Sequence, residues 1–259
     1  MKVLAILGSP KRKGTGYKVV QQIEQKMNQV GKVEFDYLFL SDANLGLCRG
    51  CFLCVTKGED LCPMNEDRIS IERRIESADG VILVSPGYVQ NVSWLMKNFI
   101  DRFAYTHHRP KFLDKKVMIV ANGGAGLEKV LDSLRIAIGG PEVVSELAYM
   151  KTPWPIAPKV EEKQGKRLEK AAVRFYQAIN EKSNEPSFTN YMGFKFFKEI
   201  IPAVREYLPA DYEFYKDKKD YYYATRIGAS KRIGAGILSR IVTFLMRDLA
   251  PYEDRKSRE

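Results

Sequence analysis

The sequence predicts an α/β fold in which a parallel five-stranded sheet carries helices on both faces. Apolar runs of strand length alternate with longer amphipathic stretches along the first two thirds of the chain. Two of the runs, KVLAIL and GVILVSPG, are continuously apolar, as is typical of strands buried on both faces. Three runs end in loops that contain glycine. The last third is aromatic and basic, which favours a mainly helical extension.

Strands are predicted where short apolar runs are bounded by turn residues. In chain order they cover 2–7, 33–40, 80–87, 115–126 with its glycine turn, and 141–150. Helices are predicted where apolar residues recur at helical spacing. They cover 17–30, 67–79, 92–106, 127–138 and 161–182. This rhythm of five strands favours the doubly wound flavodoxin-like order over the longer six-stranded dinucleotide fold.

The length and composition are those of a globular protein with more than a minimal core. We predict one α/β domain at 1–182 and a basic, aromatic, mainly helical extension at 183–259. No apolar run is long enough to span a bilayer, and the start of the chain lacks the pattern of a signal peptide, so we expect a cytoplasmic protein. The net charge of +10 fits either a solvated lysine-rich surface or attraction to anions. We expect no nucleic-acid partner, because no recognisable reading element is present.

The loop after the first strand has the composition of a phosphate cradle. Its glycines free backbone amides to point inward, and the following helix N-terminus adds partial positive charge. It matches neither the dinucleotide motif nor the nucleoside-triphosphate motif. An ordinary strand-to-helix turn with solvated lysines is the alternative. The candidate binding residues are Ser9, Lys11, Arg12, Gly14, Thr15 and Gly16.

Two further loops follow the third and fourth strands. In a flavodoxin-like sheet, strands 1 and 3 flank the switch point where ligands bind, so the loop after strand 3 is expected to frame a planar ring. Glycines after strand 4 predict close approach of backbone to a ligand, or else a flexible connection. The candidate residues are Ser85, Pro86, Gly87, Tyr88, Val89, Gly123 and Gly124.

All four cysteines fall within one short segment, with the spacing C-x2-C-x2-C-x7-C. Reduced thiols are expected in the cytoplasm, and the compact triplet suits an iron–sulfur cluster better than a disulfide framework. Free redox-active thiols and structural zinc stay open as alternatives, although zinc usually takes two separated pairs. The candidate ligands are Cys48, Cys51, Cys54 and Cys62.

These motifs together resemble those of the NADPH-dependent FMN reductase family. GSPKRKGTG is similar to its phosphate loop GSPRKxGNT, apart from Thr15-Gly16 in place of Asn-Thr. SPGYVQNVSWLMKNFIDR is similar to its P-x-Y-x-x-x-x-S-x-x-x-K-x-F-x-D-R segment, and ANGGAG to its third flavin loop. The resemblance spans about residues 1–180 and implies bound FMN reduced by NAD(P)H or another donor.

Within that family the cysteine segment is similar to that of iron–sulfur flavoproteins, which implies a [4Fe–4S] cluster on the four thiols. Family members without a cluster carry a related cysteine loop as well. We therefore expect an FMN-dependent NAD(P)H oxidoreductase that forms a homo-oligomer and needs no catalytic side chain, since the cofactor carries the chemistry. An electron carrier fed by a ferredoxin-type donor is the alternative.

A third hypothesis, a non-enzymatic membrane-associated protein, rests on the basic helix expected at 229–249. One helical face carries apolar side chains and other positions carry arginines, a pattern seen in helices that lie on membranes. Packing on the protein's own domain or on a partner subunit is the more common role of such a stripe, and we expect that here. The apolar residues are Ile233, Ile237, Ile241, Phe244 and Leu245, and the basic ones are Arg232, Arg240 and Arg247.

Overall fold

A computed structural model describes residues 1–64, 67–181 and 185–245. Five strands form one sheet in the order β2-β1-β3-β4-β5, and every neighbouring pair is parallel. The strands are β1 (Lys2–Leu7), β2 (Glu34–Phe39), β3 (Gly80–Pro86), β4 (Lys116–Gly123) and β5 (Glu142–Met150). This order is flavodoxin-like and confirms the predicted fold class.

The helices of the α/β part connect successive strands, as parallel pairing requires, except for the last helix, which follows β5. They are α1 (Thr15–Val30), α3 (Arg68–Ser77), α4 (Trp94–Arg102), α5 (Leu127–Arg135) and α6 (Pro158–Asn180), while the four-residue α2 (Leu53–Thr56) lies in the cysteine segment. The helix expected at 92–106 ends earlier, at Arg102, because the hydrogen bond of the Phe103 amide is divided among the carbonyls of Phe99, Ile100 and Asp101. The chain then continues as the 3₁₀ helix Ala104–His107. The helix expected at 127–138 likewise ends early, at Arg135.

The core lies between the central strands and the two helices α1 and α6. Val3, Ile82 and Val120 lie on neighbouring strands and are fully or almost fully excluded from solvent. Ile23 of α1 and Phe175 of α6 belong to the same buried cluster. Burial on both faces explains why β1 and β3 are apolar at consecutive positions rather than at alternate ones.

The chain forms two compact units. The first unit comprises Met1–Gly50 and Pro63–Glu181, and the second comprises Cys51–Cys62 and Lys182–Glu259. Three of the cysteines thus group with the C-terminal part of the chain, a grouping that we did not predict. No helix in the described ranges of either unit combines the length and the apolar character needed to cross a membrane.

The described part of the second unit is helical and packs around aromatic side chains. Its longer helices are α7 (Phe188–Ile200), α8 (Pro209–Tyr215) and α9 (Ala229–Leu245); residues 246–249 of the helix expected at 229–249 lie outside the described residues. Helix α2 contacts α8, and α7 contacts α9. The Tyr215 and Tyr222 hydroxyls lie 3.0 Å apart, and burial raises the pKa of Tyr222 to about 12. The Tyr222 phenol therefore stays neutral at physiological pH.

Candidate functional site at the carboxyl edge of the sheet

The three glycine-bearing loops leave the carboxyl ends of β1, β3 and β4. Because these strands are parallel and adjacent in the sheet, all three loops emerge at the same edge. The strand order reverses at β1, which is followed along the chain by β2 on one side and by β3 on the other. The predicted cradle and the predicted ring-binding loop thus flank the switch point of the sheet.

The first loop is held by its own backbone and by one serine. The Ser9 hydroxyl donates to the Lys11 carbonyl at 3.2 Å and accepts from the Lys11 amide at 3.1 Å. The Gly14 amide also donates to the Lys11 carbonyl. Helix α1 begins at Thr15, and no side chain among the described residues caps its first turn. Its first amides are therefore available to a bound anion.

The two basic residues among the candidate phosphate ligands, Lys11 and Arg12, differ in their surroundings. Arg12 pairs with Asp42 and lies over the Phe39 ring, with 5.2 Å from its guanidinium carbon to the ring centroid. Arg12 therefore contacts the residues at and just beyond the end of β2. Lys11 is exposed. Lys11 is the better placed of the two to meet an incoming phosphate without breaking a contact of the protein.

Ser93 connects the first two loops to each other. Its hydroxyl donates to the Gly8 carbonyl and accepts from the Met96 amide at 3.2 Å, which caps helix α4. Its own amide donates to the Ser85 hydroxyl at 3.0 Å. All of these groups are buried. One serine thus fixes the end of β1, the end of β3 and the start of α4 relative to one another.

The second loop forms a tight hairpin in an unfavourable conformation. Tyr88 and Asn91 exchange both backbone hydrogen bonds, at 3.0 Å each, so that Val89 and Gln90 form a two-residue turn. Both central residues have positive φ, 51° and 59°. Such turns favour glycine or asparagine, and a β-branched valine with positive φ is strained. Val89 is fully exposed and Tyr88 is 49% exposed, so neither side chain is a core residue.

The third loop brings a buried and unsatisfied acceptor to the same edge. Asn122 is 6% exposed, and its Oδ1 has no hydrogen-bond partner among the described residues. A β-carbon on Gly16 would lie 3.0 Å from this oxygen and 3.0 Å from Val84 Cγ1. A backbone hydrogen bond also connects the second loop to the third, since the Gly87 amide donates to the Asn122 carbonyl at 2.8 Å. A buried acceptor normally has a partner, so this one indicates a missing donor.

The predicted site set did not include Asn122. Its sequence context offered a usable indication, because it is the first polar residue after the apolar run VMIVA at the carboxyl end of a strand. Gly123 follows with a φ of 150°, which only glycine adopts without strain. The third loop therefore contributes both an acceptor and a backbone conformation that depends on glycine.

Helix α4 also holds the segment that leads into the cysteines. The Asn98 side chain accepts from the Cys48 amide at 2.9 Å and donates to the Leu45 carbonyl at 3.0 Å. The Arg102 guanidinium donates to the Gly46 carbonyl at 2.6 Å. Both side chains are buried. These two supports were not predicted, although a polar residue on the buried face of an amphipathic helix is an indication of such a role.

The cysteines themselves are accessible thiols on tightly wound backbone. None of the four, all of which are described, is in a disulfide; Cys48 and Cys51 are exposed. Gly50 and Phe52, which flank Cys51, both have positive φ. Among the described residues, no three histidine, cysteine, aspartate or glutamate side chains lie close enough together to hold a metal ion. The donor set of four thiols is chemically suited to an iron–sulfur cluster.

The chain is similar in sequence to flavin-dependent redox proteins. Residues 1–150 match the model of the NADPH-dependent FMN reductase family. An iron-sulfur flavoprotein from Archaeoglobus fulgidus is 30% identical over 84% of this chain and 99% of its own length. An iron-sulfur flavoprotein from Clostridioides difficile is 28% identical over 79% of this chain and 91% of its own length.

Solved structures show the same fold. An NAD(P)H:quinone oxidoreductase from Methanothermobacter marburgensis superposes with a TM-score of 0.54, covering 66% of this chain and 97% of that one. The two sequences are 18% identical. The likeness therefore supports the α/β architecture alone.

We predict that Ser93→Ala lowers the stability of the first unit by about 2–3 kcal/mol, because it removes a helix cap and leaves the buried Gly8 carbonyl without its donor. The matched control is Ser187→Ala. Ser187 caps α7 by accepting from the Asn190 amide at 3.2 Å, and its loss should cost about 1 kcal/mol. Native-state hydrogen exchange reports each unit separately. Equal losses in the two variants would contradict the connecting role of Ser93.

We predict that Val89→Gly raises the stability of the first unit by roughly 1 kcal/mol, because it relieves a positive φ at a β-branched residue. The control is Val160→Gly in α6, where the backbone is helical and the change should cost roughly 0.5 kcal/mol. Hydrogen exchange of the folded chain measures both. A loss of stability in Val89→Gly would show that the turn is not strained.

Proposed function

Because the chain belongs to the NADPH-dependent FMN reductase family, we propose that it is an oxidoreductase that binds FMN at the three loops and exchanges electrons with NAD(P)H. The observation that carries this proposal is the buried Asn122 oxygen beside Gly16. It is an acceptor without a donor at the switch point of a flavodoxin-like sheet. A hydroxyl of the FMN ribityl chain is the kind of donor that would satisfy it.

The phosphate of FMN would lie in the first loop. The uncapped first turn of α1 supplies amides, and the hydroxyls of Ser9 and Thr15 add further donors. Lys11 supplies charge without breaking a contact, whereas Arg12 would have to share its guanidinium with Asp42. Gly14 and Gly16 keep the cradle open, since a β-carbon on either would lie 3.0 Å from a neighbouring oxygen.

The flavin ring would lie against the second and third loops. Ser85, Pro86 and Gly87 end β3, and Ser85 is held by the Ser93 amide. Tyr88 and Val89 present exposed side chains, and Gly123 and Gly124 keep the far side free of bulk. FMN, when bound, accepts and donates electrons singly or in pairs, and these residues would position it.

We propose further that Cys48, Cys51, Cys54 and Cys62 hold a [4Fe–4S] cluster. The support is the set of four thiols outside any disulfide, the tight backbone around Cys51, and the names of the relatives. Metal ligands often converge only on the metal that they bind, so the separated thiols are compatible with this role. Asn98 would fix the position of Cys48 through its amide. A bound cluster carries single electrons.

A second candidate function is electron transfer without direct use of a nicotinamide. The observation that favours it is that the full-length relatives are named as iron-sulfur flavoproteins rather than as reductases. Anaerobic stopped-flow absorbance separates the two, with NADPH, NADH and a reduced ferredoxin as donors. Rapid flavin bleaching by a nicotinamide supports the first function, and bleaching by ferredoxin alone supports the second. Self-association and a cytoplasmic location stay predictions.

We predict that Lys11→Glu weakens FMN binding tenfold or more, because a charged hydrogen bond to phosphate contributes about 1.5–3 kcal/mol. Riboflavin, which lacks the phosphate, should bind within about twofold of its affinity for the unchanged protein. Lys18→Glu changes an exposed lysine on α1 beyond the first turn and is the matched control. Fluorescence titration of the flavin-free protein measures all three. Equal losses for FMN and riboflavin would contradict the phosphate assignment.

We predict that anaerobically purified protein contains about four irons and four sulfides per chain. Replacing Cys48, Cys51, Cys54 or Cys62 by serine should abolish iron and sulfide and leave FMN bound, because the flavin loops are separate from the cysteines in sequence. Thr56→Ser in the same segment is the control and should retain both. Iron, sulfide and flavin assays measure the outcome. Full FMN without iron, or zinc in its place, would contradict the cluster.

A further inference from the structure

Helix α9 presents an apolar face to solvent. Ile233, the first residue of the stripe, is 63% exposed, and all five side chains of the stripe are exposed. At about 100° per residue, the five positions fall within a sector of roughly 120°. The described part of the chain therefore does not cover the stripe, and the other half of the expectation, packing on a partner subunit, is left to the test below. The stripe comprises Ile233, Ile237, Ile241, Phe244 and Leu245.

The opposite face of α9 fixes this orientation. Ala235 and Ser239 are fully buried, and Ala235 belongs to the aromatic core of the second unit. The Ser239 hydroxyl donates to a Glu199 carboxylate oxygen of α7 at 2.7 Å, and the Thr243 hydroxyl donates to the same oxygen at 3.3 Å. Small and polar residues thus face inward and large apolar ones face outward. Such an inverted helix marks an interaction surface.

Charge indicates the kind of partner. The 17 residues of α9 contain three basic side chains and no acidic one. Arg240 is exposed at one edge of the stripe, and Lys231 lies near the other edge, where it pairs with Glu185. Two copies of α9 carry charge of the same sign, so electrostatic attraction does not favour their contact. A negatively charged surface instead attracts them.

We propose that the apolar stripe of α9 docks on an anionic membrane surface, with the helix lying in the plane of the interface. The isoleucine, phenylalanine and leucine side chains enter the boundary between headgroups and acyl chains, and Arg240 at the edge of the stripe contacts lipid phosphates. None of the stripe residues is among the candidate flavin or cysteine ligands. This docking would bring an electron-transferring protein to a membrane without anchoring it there irreversibly.

The test is co-sedimentation of the full chain with vesicles of phosphatidylcholine, with and without phosphatidylglycerol. We expect binding only to the anionic vesicles, and weakening as salt is raised. Ile237→Asn should weaken binding about tenfold, because one apolar anchor is lost. Ile136→Asn is the matched control, since Ile136 is a 64% exposed isoleucine of the first unit.

A second pair of variants tests the charge. Arg240→Glu should weaken binding about fivefold or more, whereas Arg167→Glu, an exposed arginine of α6, should change it little. Sedimentation equilibrium without lipid is measured in parallel. No binding to anionic vesicles, equal binding to neutral ones, or an oligomer that Ile237→Asn dissociates would each overturn the proposal. The last result would assign the stripe to a second copy of the chain.

Discussion

The candidate site depends on the hydrogen bonds of Ser93. Its hydroxyl joins the end of β1 to the start of α4, and its amide joins α4 to Ser85 at the end of β3. Parallel strands diverge into loops at this edge, and loops alone would leave the phosphate and ring positions free to drift. One buried serine makes the two loops a single rigid edge. A cofactor site needs such rigidity, because binding elements must be positioned before the ligand arrives.

The same edge of the sheet carries two features that destabilise the protein when no ligand is bound. The Val89-Gln90 turn holds two side chains at positive φ, and Asn122 buries an acceptor without a donor. Strain and unsatisfied polar groups of this kind cluster at functional sites, since a ligand compensates for them. Both features lie on the loops that the sequence associates with a flavin. They supply a physical reason, independent of similarity, to place the cofactor there.

The strands and the three loops could be predicted from the sequence, because they depend on local patterns of apolar residues and glycines. Continuous apolar runs predicted β1 and β3, and glycines at strand ends predicted the three loops. Asn98 and Arg102 escaped prediction because their role is to hold residues about fifty positions away, which no local pattern shows. The outward stripe of α9 was assigned to packing because helical periodicity reveals an apolar face and not what covers it. Glu199 of α7 fixes the orientation of α9 through Ser239, so that the stripe faces away from α7.

Hydrogen exchange of the chain with and without FMN tests whether the loops after β1, β3 and β4 form one FMN site, because amide protection reports every loop at once. We expect the added protection to concentrate in residues 8–16, 85–93 and 122–126. Protection at only one of these loops, or at segments away from the carboxyl edge of the sheet, would contradict it.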